Sequence, residues 1–385
     1  MTDQLVEHQM KFAVVGAGVI GSLHAQKITD LPGAEVGVVV DVQLERAQDP
    51  AGRQQARALS DIAAALSLPD IDAVAICTRS GEHADLVVAA LRAGKHVVVE
   101  KILDVALAAA RRVAVAERES GGWVSVISQH RFDPSALVVA EALSSGRLGR
   151  VTFGSASVAW WRSQAYYDWA GWRGTWALDG GGALMNQGIH TIDLLVWFLG
   201  RPVEVFAWTG LLAHERLEVE DTAVATIRGA GGALGVIHGT TCAYPGLNAR
   251  LQVHGDRGSA VIDDDQLTYF HAARDSDVGP DVGAGSPDNQ AAAVLPAALR
   301  DAGRRTAGLL PTSHTAQYQD FLSSVAGDHP PVVTVAEATR TLAVISAIYE
   351  SAESGRPVLV ADADGGGQPG QHRSALGHDR RPVGP

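Results

Sequence analysis

A short glycine-rich stretch, 16-GAGVIG-21, is the feature that most constrains the fold. It directly follows an apolar, β-branched run and opens a helical pattern. Gly16 permits a tight turn, Gly18 lets backbone N–H groups approach a pyrophosphate, and Gly21 allows the helix to pack closely on the strand. The phosphates would lie at the helix N-terminus, where unpaired N–H groups favour negative charge. The residues expected to contact them are Gly16, Gly18, Val19, Ile20 and Gly21.

An acidic residue at the end of the second strand pattern makes this motif more specific. Asp41 follows Gly21 by twenty residues, where a carboxylate would bind the adenosine ribose hydroxyls of a dinucleotide. A glycine-rich connection in an α/β domain without a ligand is the alternative. Because Asp41 would repel a 2′-phosphate and no arginine immediately follows it, we favour NAD over NADP.

Strand and helix patterns alternate over the first 130 residues. Continuous apolar strands separated by helices predict a parallel sheet that is covered on both faces. With the glycine-rich turn, this predicts an α/β fold that begins with a doubly wound Rossmann domain at residues 1–130. The predicted strands are 12–16, 36–41, 72–78, 97–100 and 124–128.

Beyond residue 130 the strand-like runs alternate apolar with polar residues and follow one another directly. This pattern predicts a large, mostly antiparallel sheet that is covered on one face. We therefore expect a second domain at 131–361, with a long Gly/Pro-rich excursion at 272–312, and a disordered tail at 362–385. The predicted strands are 150–161, 203–210, 222–228, 233–241 and 249–255, and the predicted helices are 182–199, 313–327 and 334–353.

Composition excludes several classes of function. A formal net charge of −12 without a basic block argues against nucleic acid or an anionic membrane as a partner. Cys77 and Cys242 are too few for a disulfide framework or a thiolate metal site, which indicates a reducing compartment. No apolar run is long enough to span a bilayer, and the first ten residues lack a signal-peptide pattern, so we expect a cytoplasmic protein.

The helix pattern 183-ALMNQGIHTIDLL-195 contains three short polar side chains and no Lys, Arg or Glu. At about 100° per residue, Asn186, His190 and Asp193 fall on one face. The remaining face is apolar, so the helix is predicted to be amphipathic. Spacing alone does not tell whether the polar face meets water or a substrate.

A second polar site lies at the end of a predicted strand, in 94-GKHVVVEKIL-103. Glu100 and Lys101 follow the strand directly, at the edge where open α/β sheets bind ligands. A lysine there can stabilise negative charge that develops on a substrate oxygen. A solvated lysine just past a strand is the alternative.

Three segments, 71–103, 171–200 and 340–358, resemble the Gfo/Idh/MocA oxidoreductase family in order and spacing. The resemblance extends from about residue 11 to residue 360. It implies a Rossmann domain followed by an α/β domain whose open sheet often forms the oligomer interface, here of a homodimer or homotetramer. It also implies a nicotinamide-dependent reaction on a sugar or cyclitol carbon that bears a hydroxyl.

Motif by motif, the resemblance assigns roles to individual residues. Lys101 matches the lysine of the family's EKP motif, a catalytic and cofactor-contacting position, and Glu100 matches the glutamate near the nicotinamide ribose. His190 matches the histidine of the D-x-x-x-H motif, the usual catalytic acid/base. Arg131 matches an arginine that faces the cofactor-binding cleft in the family. Further residues that match cofactor-facing positions are Thr78, His83, Gln129, Trp172 and Arg173.

The sequence departs from the family pattern at three positions. Asn186 stands where many members have the aspartate of D-x-x-x-H, and an amide cannot accept a proton as a general base. Ile102 replaces the proline of EKP, and Arg79 replaces the proline that usually follows Thr78. A proton relay of two residues is therefore in doubt, although Asn186 can still hydrogen-bond a substrate or the imidazole.

These matches lead to a hypothesis for function. His190 would remove a hydroxyl proton while hydride leaves for the nicotinamide, Lys101 would stabilise the alkoxide, and Asn186 would orient a neighbouring hydroxyl. Asp193 would either orient His190 or serve in packing. Two alternatives are an NAD-dependent, redox-neutral glycosidase and a non-catalytic cofactor-binding sensor.

Aromatic residues cluster just before the polar helix, and their faces suit the apolar faces of a pyranose or inositol ring. Tyr166 and Tyr167 are the candidates for substrate binding, although packing explains most of the cluster. His314 begins a later helix pattern and is a further candidate. The histidine spacing predicts no metal site, and hydride transfer needs none.

Overall fold

The computed structural model describes residues 9–274, 288–295 and 312–362. The first sheet of the described residues has six parallel strands, with helices between them in the chain. Its strands are β1 (Met10–Val15), β2 (Ala34–Val40), β3 (Arg57–Leu59), β4 (Ala73–Ile76), β5 (His96–Val99) and β6 (Val124–Val126). The helices are α1 (Val19–Thr29), α2 (Leu44–Arg53), α3 (Ile62–Leu66), α4 (His83–Arg92) and α5 (Leu107–Ser120).

The strand order β3-β2-β1-β4-β5-β6 is that of a doubly wound dinucleotide-binding sheet. All four residues of β4 are buried, as the continuous apolar runs predict for strands that are covered on both faces. The predicted Rossmann fold is confirmed. Strand β3 was not predicted, because its three residues, Arg57–Leu59, are only partly buried and give no apolar run.

An eight-stranded sheet forms the second layer. It contains β7 (Val151–Ala159), β8 (Pro202–Gly210), β9 (Thr222–Gly229), β10 (Leu234–Thr240), β11 (Ala249–Gly255), β12 (Gly258–Asp263), β13 (Gln266–Ala272) and β14 (Val358–Leu359). The order is β13-β12-β11-β7-β10-β9-β8-β14, and only β7 and β10 pair in parallel. The predicted large, mostly antiparallel sheet is confirmed, with β12, β13 and β14 as strands that the sequence pattern did not separate.

Six further α-helices lie in the described residues after β6. They are α6 (Pro134–Ser144), α7 (Gln164–Asp168), α8 (Ile189–Leu199), α9 (Ala291–Val294), α10 (Thr312–Gly327) and α11 (Val335–Ser354). Helices α8 and α11 pack on the eight-stranded sheet. Helix α10 instead places Tyr318 and Phe321 against Phe12 of β1. A helix that follows the second sheet thus completes the core of the first.

The division at residue 130 stays a prediction, because α10 shares the core of the N-terminal sheet. Most of the predicted excursion at 272–312, and the predicted tail apart from residue 362, lie outside the described residues. Within the described ranges, no helix is both long and apolar enough to cross a membrane.

The predicted helix at 182–199 has two parts. A π-helical turn, Ala183–Gly188, precedes α8, so the helix is not regular through its polar residues. Leu194, Val196 and Phe198 lie outside the predicted apolar face, and they are buried as well. The helix is therefore enclosed on nearly all sides rather than amphipathic, and Asn186 and His190 are among its few residues that are only half-buried.

Asp193, the third polar residue of this helix, does not orient His190. Its carboxylate accepts two hydrogen bonds from Arg131, each 2.7 Å long, and further ones from Ser128 and Thr341. Arg131 is only 2% exposed and also donates to Glu337. The expectation that Arg131 faces the cleft is wrong, because its guanidinium joins the end of the parallel sheet to α8 and α11.

Candidate active site

The glycine-rich turn has the geometry that its sequence predicts. Gly16 adopts φ +97°, and a Cβ there would lie 2.6 Å from the carbonyl oxygen of Cys77. A Cβ at Gly21 would lie 1.7 Å from the carbonyl oxygen of Gly16, so neither position tolerates a side chain. Gly18 instead faces open space at the start of α1. The turn therefore leaves the helix N-terminus accessible to a ligand.

Asp41 lies beside this turn at the end of β2. Its Oδ2 accepts a 3.0 Å hydrogen bond from the backbone N–H of Ala17, and its Oδ1 accepts one from the backbone N–H of Gln43. Val19, at the first turn of α1, is 83% exposed. An oriented carboxylate beside an uncovered helix N-terminus fits an adenosine ribose and a pyrophosphate.

Several buried polar atoms at predicted cofactor positions have no partner among the described residues. They are Thr78 Oγ1, Gln129 Oε1 and Arg173 Nε. A buried polar atom without a hydrogen bond is destabilising by about 1–3 kcal/mol, so a native structure retains few of them. Three residues that were predicted to contact the cofactor each have such an atom. This fits a polar ligand such as a nicotinamide dinucleotide.

His83 plays a different part from the other predicted cofactor residues. It is 1% exposed, and its ring nitrogens contact the carbonyl oxygens of Ile102 at 2.6 Å and Thr78 at 3.2 Å. The imidazole thus ties the loop after β4 to the loop after β5. The direct contact with a cofactor predicted for His83 gains no support from this geometry, because each ring nitrogen lies against a backbone carbonyl oxygen, to one of which the neutral imidazole can donate.

Glu100 is held by a buried cluster that the sequence did not reveal. Its Oε1 lies 2.8 Å from Nε2 of His24, whose Nδ1 contacts the hydroxyl of Tyr318, and its Oε2 accepts from the N–H of Lys101. Burial by itself would raise the pKa of Glu100, but the hydrogen bond and charge of His24 hold it at about 2. Glu100 is therefore an anion at neutral pH.

His314, a predicted substrate residue, belongs to the same cluster. Its Nε2 is 4.0 Å from Oε1 of Glu100, and its ring packs edge-on against His24. Potential metal-ligand atoms of His24, Glu100 and His314 all lie within 4.8 Å of one another. Linear spacing could not predict this grouping, since the three residues come from α1, the end of β5 and α10.

Lys101 reaches from the end of β5 to the π-helical turn. Its Nζ donates to the carbonyl oxygen of Asn186 at 2.9 Å and to Oδ1 of the same residue at 3.0 Å. Burial lowers the pKa of Lys101, against the opposing charges of Glu100 and Asp179. The predicted catalytic pair of Lys101 and Asn186 is thus in direct contact.

His190 lies four residues after Asn186, in the first turn of α8. Its ring lies 5.0 Å from that of His130, centroid to centroid. Burial lowers the pKa of His130, but Asp133 and Asp265 outweigh this and raise it to about 10, so His130 is a cation. Burial and the charges of His130 and Lys101 hold the pKa of His190 well below 6.5. His190 is therefore neutral and able to accept a proton.

The predicted aromatic residues divide into packed and accessible members. Tyr167 is 5% exposed and donates to Oγ1 of Thr241, so its predicted place among substrate contacts is not supported. Tyr166 is half-buried, and the guanidinium of Arg173 stacks 4.0 Å from its ring centroid. Trp172 lies 5.5 Å from the same guanidinium. Tyr166 therefore remains the better candidate for a substrate ring.

Sequence comparisons identify the family. The model described as "Oxidoreductase family, NAD-binding Rossmann fold" matches residues 10–128, and that of the "GFO/IDH/MocA C-terminal domain" matches residues 137–261. The chain belongs to the Gfo/Idh/MocA oxidoreductase family. It is thus an NAD-binding oxidoreductase, which confirms the cofactor predicted from the glycine-rich turn and Asp41.

Individual relatives are similar over most of their length. "Uncharacterized oxidoreductase YrbE" of Bacillus subtilis is 30% identical over 70% of this chain and 76% of its own. "Myo-inositol 2-dehydrogenase" of Thermotoga maritima is 28% identical over 66% and 75%. The WlbA dehydrogenase from Bordetella pertussis, solved with NADH and UDP-GlcNAcA, is 30% identical with a TM-score of 0.78, covering 92% of this chain and 99% of its own.

Asp41→Ala tests the predicted contact with the ribose. Loss of the carboxylate removes acceptors for the ribose hydroxyls and the charge that repels a 2′-phosphate. We expect the Kd for NAD to rise roughly ten- to a hundredfold, while the Kd for NADP rises less or falls. Calorimetric titration of both cofactors measures this, with Asp30→Ala, at an exposed carboxylate just after α1, as control. An unchanged NAD/NADP ratio would refute the assignment.

Proposed function

We propose that this protein is a dehydrogenase or reductase that acts on a ring carbinol or ketone of a sugar, amino-sugar or cyclitol. The observation that supports it is the convergence of Lys101 and His190. Lys101 contacts Asn186, and His190 lies four residues further along the same helix within electrostatic range of Lys101 and Glu100. An ammonium group, a neutral imidazole and a carboxylate are thus close enough to one another to interact electrostatically, near the end of strand β5.

A bound NAD would supply the acceptor for the hydride of the carbinol carbon. The proton of the same hydroxyl passes to a ring nitrogen of His190, which is neutral because burial and nearby cations depress its pKa. Lys101 donates a hydrogen bond to the substrate oxygen as negative charge develops on it. In the reverse direction His190 returns the proton to the ketone oxygen.

His190→Ala tests the proton transfer. Without an acceptor for the hydroxyl proton, we expect kcat to fall roughly 10²- to 10⁴-fold while the Kd for NAD stays the same. Stopped-flow absorbance of the reduced cofactor measures kcat, and His329→Ala, at an exposed histidine, is the matched control. Near-normal turnover by His190→Ala would exclude this residue as the acid/base.

The arginines around Tyr166 favour, within this substrate class, a molecule with a carboxylate or phosphate. The guanidinium of Arg162 lies 5.4 Å from the centroid of the Tyr166 ring, and that of Arg173 lies 4.0 Å from it. Arg162 donates to oxygens of Trp161 and Gln187, and Arg173 donates to the carbonyl oxygen of Tyr166. The guanidinium groups of Arg162 and Arg173 thus hydrogen-bond uncharged oxygens. They place positive charge beside Tyr166 in a protein whose net charge is −12. The Bordetella WlbA structure contains an acidic nucleotide sugar, which supports the same substrate class.

A screen of matched neutral and acidic substrates tests this preference. We expect glucuronate and N-acetylglucosaminuronate, free or nucleotide-linked, to exceed the corresponding neutral sugars and inositols in kcat/KM with NAD. Arg162→Gln should reduce that preference roughly tenfold, because a charge-assisted hydrogen bond is lost. Arg216→Gln, at an exposed arginine, is the control. Equal losses on acidic and neutral substrates would contradict the proposal.

The open face of the eight-stranded sheet supports a homo-oligomer. Trp208 of β8 is 65% exposed and lies opposite Val224 of β9, and Leu234 of β10 lies opposite Phe153 of β7. Such a patch on one sheet face is typical of an interface between protein chains. We propose that a second copy of this chain covers it.

Val224→Arg tests the interface, because a charge in an apolar contact opposes burial. We expect wild type to be a dimer or tetramer in light scattering, and Val224→Arg to have a lower mass. Leu137→Arg places the same charge at an exposed leucine of α6 and should leave the mass unchanged. A monomeric wild type at micromolar concentration would disprove the interface.

A further inference from the structure

Asp179 completes a row of polar groups that begins at Lys101. Lys101 Nζ donates to Oδ1 of Asn186, and Nδ2 of Asn186 donates to Oδ1 of Asp179. The other carboxylate oxygen of Asp179 accepts a 2.8 Å hydrogen bond from the N–H of Gly174. Asp179 is 3% exposed and lies in the segment before the π-helical turn. It was not among the site residues expected from the sequence.

The chemistry of these groups allows only one orientation of the Asn186 amide. An ionised carboxylate can only accept hydrogen bonds, and an ammonium group can only donate them. The NH₂ of Asn186 must therefore face Asp179, and its oxygen must face Lys101. The amide connects the carboxylate to the ammonium group.

We propose that Asp179 is a positioning residue of the active site, which fixes the Asn186 amide so that its oxygen holds the Lys101 ammonium group. The amide at position 186 carries no charge. Asp179, which accepts a hydrogen bond from that amide, supplies the negative charge instead. This inference rests on the proposed function for its effect on turnover, but the orientation of the amide does not depend on the substrate.

The other explanation is that Asp179 only holds its own loop through the N–H of Gly174. An exchange of the side chains at positions 179 and 186 distinguishes the two explanations. In the double variant Asp179→Asn/Asn186→Asp, the amide at position 179 can accept from Gly174 and donate to the carboxylate at position 186, which in turn accepts from Lys101. Every hydrogen bond is kept, with the donor and acceptor between positions 179 and 186 reversed.

Asp179→Asn alone should break the row. The amide NH₂ at position 179 would then face the NH₂ of Asn186, so Asn186 must turn and present its NH₂ to the Lys101 ammonium group. We expect kcat to fall roughly ten- to a hundredfold, with the Kd for NAD within about twofold of wild type. The double variant should recover kcat to within a few-fold. Asp168→Asn, at an exposed carboxylate in α7, is the control.

A second measurement needs no substrate. Lys101 is one of only four lysines in the chain, so its Cε resonance can be followed against pH in protein with ¹³C-labelled lysine and assigned with Lys101→Met. The pKa of Lys101 should fall in Asp179→Asn, because a nearby negative charge is removed. In the double variant it should equal or exceed that of wild type, since the carboxylate then contacts Nζ directly.

Two results would overturn the proposal: an unchanged pKa of Lys101 in Asp179→Asn, or a double variant no more active than that single variant. If Asp179→Asn does not fold, the double variant alone decides, since a lowered Lys101 pKa or a loss of kcat there contradicts the exchange. If wild type turns over no polyol, the proposed function fails, while the titration of Lys101 still tests the role of Asp179.

Discussion

The buried ion pair between Arg131 and Asp193 fixes the geometry on which the active site depends. Two hydrogen bonds of 2.7 Å hold the guanidinium against the carboxylate, and Glu337 takes a third. A pair so fully removed from water is stabilising only when all its polar atoms are satisfied, and removal of one partner leaves an uncompensated charge. Because Arg131 follows β6 and Asp193 lies in α8, this pair sets the position of the His190 helix against the cofactor-binding sheet.

The site that results has a charge balance suited to its chemistry. Glu100 is an anion, His130 is a cation, and Lys101 lies in a partly buried position between Glu100 and Asn186. Burial and the charges of His130 and Lys101 disfavour the protonated form of His190, so its imidazole is neutral at neutral pH and keeps a lone pair for the substrate proton. The same cations stabilise a substrate alkoxide. His190 and Lys101 therefore have separate roles, the first as the base and the second as the group that stabilises the oxyanion.

The sequence predicted those parts that depend on local pattern. The glycine-rich turn, Asp41 and the buried strands each have a spacing signal, and the comparisons confirm the family and the cofactor. It did not predict residues whose role depends on distant partners. His24 has no signal in the sequence, and only the fold brings it against Glu100 and Tyr318. Asp193 fits the polar face at about 100° per residue, although its partner is Arg131.

The π-helical turn explains why Asn186 could not be interpreted from the sequence alone. A π turn widens the helix where a regular α-helix would continue, and such turns are frequent at functional sites. Here it places the backbone oxygen and the side-chain oxygen of Asn186 on the same lysine. An amide is suited to this place because it can accept from Lys101 and donate to Asp179 at once, which a carboxylate cannot do. Asn186 and Asp179 therefore form one hydrogen-bonded unit with Lys101, and neither residue can be interpreted without the other.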